Sequence, residues 1–306
     1  MARSVIPKLD CAVIGGGPGG LVSALYLARF RRKVVVINDG KPRAAWIPKS
    51  HNILGQERGI SGDLLLRRLR RQIAALRVPV VKGQARIDPV ATGFSVSVNQ
   101  VPSFIARTVI LATGIEDNQP AIKNLVELRK KGLLRYCSIC DAYEFRDQQV
   151  AVIAADDTGI EKALFIRHWT ERTRLVIPEH FLITAERSNQ LKKARIRITR
   201  CNHFRLQPAK APHGLWIIPE HGPSRFCRVA YVELGSRIRD AAFAHLKGLR
   251  RSTEGYLVTS IEQRLSIPGL FAVGDCVNLL GQISVAAGQA AVAATEIHND
   301  LLDWDE

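Results

Sequence analysis

Cys11-Ala12-Val13-Ile14-Gly15-Gly16-Gly17-Pro18-Gly19-Gly20 is the stretch whose reading decides the fold. Four uncharged residues read as a buried strand, glycines follow at once, and Leu21 to Phe30 reads as a helix. Val34 to Ile37 is the next strand and ends at Asn38 and Asp39. The pattern is a βαβ unit with Gly15-x-Gly17-x-x-Gly20 at its first turn. Gly15 permits a tight turn, Gly17 lets backbone N–H groups approach a pyrophosphate, and Gly20 lets helix and strand pack closely. The helix start, with Pro18, then faces the anion. Asp39 can bond the adenosine ribose, with Asn38 the neighbouring candidate. The competing reading is a glycine-rich turn that merely packs tightly. The strand before, the helix after and the polar strand end agree on a dinucleotide site.

The remaining composition fits that reading. The chain has 306 residues, 46% of them hydrophobic and 24% charged, enough for one large or two medium globular domains. Cys11 to Ala28 and Cys276 to Thr295 lack charge, but the glycines break the first, and Asn278, Gln282 and Gln289 interrupt the second. Both read as segments of a soluble protein. A candidate strand from Leu9 leaves no room for a signal peptide. Six cysteines in a chain of this length, without an export signal, point to a reducing, cytoplasmic compartment.

Further along, Val109 to Leu111 is a strand leading into Ala112-Thr113-Gly114. Leu270 to Val273 is another, ending in Gly274-Asp275, and an Ala-rich helix runs from about Ser284 to His298. Asp275 at a strand end can accept from a sugar or ribityl hydroxyl, or serve as a helix N-cap. The helix start at Ser284 can point N–H groups at an electron-rich ring edge.

These segments, with Cys137-Ser138-Ile139-Cys140-Asp141 and Ala286-Ala287-Gly288-Gln289-Ala290-Ala291, stand in the order and spacing of the low-molecular-weight thioredoxin reductases. The chain resembles that flavoprotein family over nearly its whole length. The resemblance implies an α/β fold of two Rossmann-like, three-layer ββα domains. A discontinuous FAD-binding domain would span 1–117 plus 250–306. A NAD(P)-binding-type domain at 118–249 would be inserted in it and carry the redox cysteines. The implied cofactor residues are Gly15, Gly17, Pro18, Gly20, Asn38, Asp39, Asn52, Ala112, Thr113, Gly114, Gly274, Asp275, Gln282 and Ser284. A homodimer is also implied.

Cys137 and Cys140 are the chemical centre. A two-residue spacer lets both sulfurs meet at the first turn of a helix, where the dipole favours a thiolate. Exchange then runs by thiolate attack through a mixed disulfide. By the resemblance, Cys140 faces the flavin, Cys137 exchanges with an external dithiol or disulfide, and Asp141 is the acid–base residue. The other reading of the pair, half a zinc site, needs a second Cys or His pair. Only Cys201 with His203 stands near that spacing, and no metal is expected. Cys11, Cys201, Cys227 and Cys276 read as packing residues.

The resemblance breaks down where NADPH should bind. After the strand Val150 to Ile153 comes Ala154-Ala155-Asp156-Asp157-Thr158-Gly159. Ala154 and Asp156 replace the first two glycines of the fingerprint, and only Gly159 survives. Two like charges about 4 Å apart repel by about 4 kcal/mol at an effective dielectric near 20, roughly a thousandfold in affinity. Glu179, after the strand Leu175 to Ile177, stands where the family grips the 2′-phosphate with arginine, and Arg187 lies further along. NADPH is therefore not expected. The readings that remain are a diflavin-linked disulfide oxidoreductase with a second FAD, a ferredoxin-dependent flavin thioredoxin reductase, and a conventional NADPH enzyme with a weakened site. The segment from Ala44 to Asn52 looks most like the diflavin group. Tyr143, Trp169, Trp216 and Trp304 are candidates to stack on a second flavin, with core packing the competing fate of each.

The formal charge of +16 is uneven, at +11 over 1–117, +10 over 118–249 and −5 over 250–306. Arg67, Arg68, Arg70 and Arg71 alternate with leucines in an amphipathic basic helix. It suits an acidic redox carrier, an anionic membrane surface or plain solvation. A basic nucleic-acid-binding or regulatory flavoprotein is the non-enzyme reading. No nucleic-acid signature accompanies the charge, and the cysteine pair argues against a silent flavoprotein.

Overall fold

The structure, a computed structural model, describes residues 6–277 and 280–302. Trp304 and Asn278 lie outside the described residues. The described chain forms two compact units: 6–45, 62–116 and 237–302 make the first, and 46–61 with 117–236 the second.

The first unit is built on a seven-stranded sheet. Strands Val80–Lys82, Val34–Asn38, Lys8–Ile14 and Val101–Leu111 lie in that order and are parallel. Leu270–Ala272 pairs in parallel with the carboxyl half of Val101–Leu111. The antiparallel strands Gly93–Val98 and Ala85–Val90 extend the sheet from the same long strand. Val34–Asn38 is buried throughout, as suits a Val-rich strand covered on both faces. Helix Pro18–Arg29 starts with proline at its first turn and packs against helix Ile283–Leu302. Phe30 stacks on His298 at 4.5 Å, and Arg32 donates to His298 Nδ1 at 3.1 Å, which pins the ends of the two helices.

The second unit holds a five-stranded parallel sheet, Arg197–Arg200, Thr173–Ile177, Val150–Ala154, Val229–Glu233 and Leu134–Arg135, in that order. Successive residues of its central strand serve opposite faces. Ala151 and Ile153 pack with Leu206, Leu215 and Ile217 of a three-stranded antiparallel sheet. Val150, Val152 and Ala154 pack with Ile160 and Ala163 of helix Asp157–Ile166. This is the sheet–sheet–helix layering expected of the family.

The unit limits differ from the expected domain limits by two segments and by Asp117, which falls in the second unit. Residues 237–249 belong with the first unit, not the second, because Phe243 is fully buried in its core and Ile87 N–H donates to Ala242 at 3.1 Å. Residues 46–61 belong with the second, where the Arg129 guanidinium stacks 4.0 Å over Trp46. Neither short segment carries periodicity that sequence reading could use.

The basic helix is Gly62–Ala75, with Leu66 and Ile73 buried and Arg67, Arg68 and Arg71 exposed. No helix among the described residues is long and apolar enough to cross a membrane. Phe243→Ala should lower the unfolding free energy by about 3–5 kcal/mol, read as a smaller urea midpoint. A change within 0.5 kcal/mol, roughly the value for surface sites, would remove Phe243 from the core.

Candidate functional site

The glycine turn of the first unit rests on two backbone contacts. Gly15 has φ +120°, and a Cβ there would lie 2.1 Å from the Ala112 carbonyl oxygen. A Cβ on Gly20 would lie 2.0 Å from the Gly15 carbonyl. Only glycine lets the helix start, the turn and the segment Ala112-Thr113-Gly114 close together. Gly17 caps helix Pro18–Arg29 in extended conformation, and a Cβ there would meet nothing within 4 Å. Beside the first N–H groups of the helix there is thus open space of the kind a pyrophosphate needs.

Among the ribose candidates, Asp39 pairs with Arg239 and accepts from Lys41 N–H at 3.1 Å. Asn38 is buried and accepts from Gly40 N–H at 3.0 Å. Arg43 reaches Asp275 at 3.5 Å. Gly114 is open above the turn, and its carbonyl accepts from Arg239 N–H at 3.1 Å. Gln282 immediately precedes helix Ile283–Leu302, and Ser284 lies exposed in its first turn. Asn52 falls in the second unit, where Ser50 Oγ donates to its Oδ1 at 2.6 Å.

Sequence reading missed Gln289 as a site residue. Its Oε1 accepts from Gly274 N–H at 2.7 Å, while its Nε2 is buried with no partner. A buried amide donor left unpaired is costly in a closed protein. Its place beside Gly274 makes it a candidate hydrogen-bond donor to a ligand. The Thr113 hydroxyl is buried, faces the Cys276 thiol and is otherwise unpaired. The signal available in the sequence was one amide on the buried face of an Ala-rich helix. The open cradle and these unspent donors fit the phosphate and polar edges of FAD.

In the second unit, Cys137 and Cys140 form a disulfide with Cα atoms 5.4 Å apart. Cys137 is the N-cap of the one-turn helix Ser138–Asp141, which places both sulfurs on one side. Ile139, between the two cysteines, and Tyr143, three positions after Cys140, are exposed, while Asp141 is buried. Burial pushes the Asp141 carboxyl above its ordinary range, against the pull of Arg135 and Tyr231. Cys11, Cys227 and Cys276 are also buried, and burial pushes their thiols to about 12, 12 and 11, which keeps them protonated.

A glycine cradle and a disulfide between cysteines three positions apart narrow the field. A profile of the family described as pyridine nucleotide-disulphide oxidoreductase matches residues 9–290. The chain belongs to this family. Thioredoxin reductase of Aquifex aeolicus (strain VF5) is 29% identical over 315 residues, covering 95% of this chain and 93% of the relative. That of Peptoclostridium acidaminophilum is 25% identical, covering 94% and 95%. The crystal structure of thioredoxin reductase from Streptococcus pyogenes MGAS5005 superposes with TM-score 0.88 at 23% identity, covering 98% of this chain and all of that one. This family member is a flavin-dependent disulfide oxidoreductase of thioredoxin reductase type, and the family implies FAD as its cofactor.

The strand-to-helix turn of the second unit is built differently from the glycine turn of the first. Asp156 is the N-cap of helix Asp157–Ile166 and accepts from Thr158 N–H at 3.0 Å. The carboxylate thus takes one of the N–H donors that a helix start leaves without a partner. Gly159 keeps its packing role, since a Cβ there would lie 1.9 Å from the Ala154 Cβ. Glu179 is held by Asn202, which donates to Oε2 at 3.2 Å and accepts from its N–H at 3.1 Å. Arg187 is committed to Glu161 at 2.7 Å.

Of the aromatic candidates, Trp169 packs edge-on to Phe165 at 4.9 Å and Trp216 edge-on to Phe226 at 5.4 Å. Tyr143 is exposed beneath the Arg146 guanidinium, 4.6 Å away.

Gly17→Asp should leave the fold intact, because its Cβ enters open space, and should weaken FAD by roughly a thousandfold. Flavin absorbance after gel filtration reads this, and a variant as yellow as the parent would overturn the cradle assignment.

Proposed function

We propose that this protein moves electrons between bound FAD and an external dithiol or disulfide protein of thioredoxin type through Cys137 and Cys140. The observation that carries the reading is the disulfide at a helix start, with exposed Ile139 and Tyr143 beside it and buried Asp141 next in sequence. Exposed apolar side chains around a redox pair suit a protein partner better than a small thiol. Gly15, Gly17, Gly20, Gly114, Asp275 and Gln289 would hold FAD, with Asn38 or Asp39 toward the ribose. FAD supplies a two-electron store for the sulfur pair.

The protein's own residues carry out the exchange. In the reduced pair, the Cys137 thiolate bonds to one sulfur of the external disulfide, whose S–S bond breaks, and the outer sulfur leaves with the electron pair. Cys140 then attacks the mixed disulfide, Cys137–Cys140 reforms and the second external sulfur departs. Two thiols are oxidised, one disulfide is reduced, and two protons pass from the pair to the released thiolates. Asp141 carries the proton at the pair.

NADPH is not the partner of this flavin in our reading. Asp156 and Glu179 support this, because both place negative charge where phosphates would lie. One observation favours the second reading, an NADPH-dependent thioredoxin reductase. A cavity of about 230 Å³ opens at the carboxyl ends of Val150–Ala154 and Thr173–Ile177, where dinucleotides bind in such sheets. The diflavin and ferredoxin-linked forms remain the ways in which electrons would bypass NADPH. A cytoplasmic homodimer, and an acidic carrier or anionic membrane for the basic surface, complete the proposal.

Mixing with excess NADPH in a stopped-flow instrument should leave the flavin oxidised over seconds; prompt bleaching would establish the second reading. FAD released on denaturation should approach two per chain for the diflavin form, and a count of one removes it. Cys137→Ser should abolish exchange with oxidised thioredoxin while retaining flavin, and surviving exchange would displace Cys137 from its role.

A further inference from the structure

Asp141 is held by more than its own turn. Its Oδ2 accepts from Nη1 of Arg135, and its Oδ1 accepts from the Tyr231 hydroxyl at 2.6 Å. The two donors stand side by side, because Arg135 and Tyr231 are register partners in the parallel strands Leu134–Arg135 and Val229–Glu233. Arg135 is itself fixed. Its Nε donates to the Gly132 carbonyl at 2.9 Å, and its guanidinium lies 5.0 Å from the centre of the Phe145 ring. The Asp141 side chain is 7% exposed and that of Arg135 14%. A third group faces this cluster from the 3-10 turn Ala142–Phe145. Glu144 acts electrostatically on both Asp141 and Tyr231, and one of its oxygens is buried with no hydrogen-bond partner.

The charges here oppose one another. Burial disfavours the Asp141 carboxylate most strongly, and Glu144 adds to that; Arg135 and the Tyr231 hydroxyl favour it. Burial beside Asp141 also raises Tyr231 itself, so its hydroxyl stays a donor. A lone carboxylate so enclosed would hold its proton and turn freely. With two fixed donors, one oxygen is committed to each, and the carboxyl keeps one orientation immediately after Cys140.

We propose that Arg135 and Tyr231 are positioning residues for the thiol–disulfide chemistry: they orient Asp141 beside the cysteine pair and set the pH at which it exchanges its proton. The inference rests on Asp141 being the proton carrier of the exchange. In that exchange the carboxylate accepts the proton of the attacking Cys thiol and later returns it to a departing thiolate, so no further reactant is needed. Loss of either donor leaves burial and Glu144 less opposed, so the carboxyl must titrate at higher pH.

The test uses the full FAD-loaded protein and two measurements. The first is the infrared carbonyl band of protonated Asp141 in the oxidised protein, followed against pH and assigned with Asp141→Asn. The second is the pH profile of the reaction of the reduced protein with 5,5′-dithiobis(2-nitrobenzoate). Arg135→Leu and Tyr231→Phe should each move the Asp141 midpoint, and the acid limb of the profile with it, upward by about one pH unit or more. Arg135→Lys should recover most of the shift. Lower activity with both midpoints unmoved would mean a merely structural role and overturn the inference. Should Arg135→Leu fail to fold, Tyr231→Phe, which removes one hydroxyl, decides alone. An Asp141→Asn protein with an unchanged profile would instead refute the proton-carrier reading. If Asp141→Asn loses the acid limb while the other variants leave it in place, only the positioning role fails.

Discussion

Two backbone contacts around Gly15 organise the first unit. The Gly20 position presses on the Gly15 carbonyl, and the Gly15 position presses on the Ala112 carbonyl, so neither tolerates a side chain. These contacts bring the turn at Gly15 and the helix start at Gly20 against the sequence-distant segment at Ala112, at the carboxyl end of the sheet. They leave the first N–H groups of helix Pro18–Arg29 facing open space at Gly17. A helix start with unspent donors is an anion site without further machinery. Gly274, joined to the buried amide of Gln289, meets the same end of the sheet through Val273, whose N–H donates to Leu111 at 2.9 Å.

The second unit repeats the frame with a different filling. Its central strand feeds a turn into helix Asp157–Ile166, and Gly159 preserves close packing of helix on strand. The donor at the helix start, however, is taken by the Asp156 side chain. An N-cap carboxylate stabilises a helix by up to about 2 kcal/mol. The same carboxylate resists a second anion. The helix start faces open space at Gly17 in one unit and carries its own side-chain cap, Asp156, in the other.

Between strand and helix the second unit carries its disulfide on a single helical turn. Asp141 is buried between two donors that come from neighbouring strands, and it follows directly on the disulfide. The four remaining cysteines are buried apart from the pair, and burial holds their thiols protonated. Environment, not residue type, therefore keeps these four thiols in the unreactive protonated form.

The sequence by itself determined the family, the Rossmann-type layering, the glycine turn and the redox pair. The turn and the pair depend on local spacing, three glycines after an apolar strand and two cysteines three positions apart, and the family and layering follow from the resemblance that such motifs carry together. The tertiary structure alone decided what surrounds them. Arg239 reaches Asp39 across 200 positions, and Tyr231 reaches Asp141 across 90. Gln289 shows its unpaired amide only once Gly274 is beside it, and residues 237–249 join the first unit only because Phe243 fills its core. Such partners are set by strand order and burial, which no local pattern encodes, since periodicity tells which face of an element is buried but not what it is buried against.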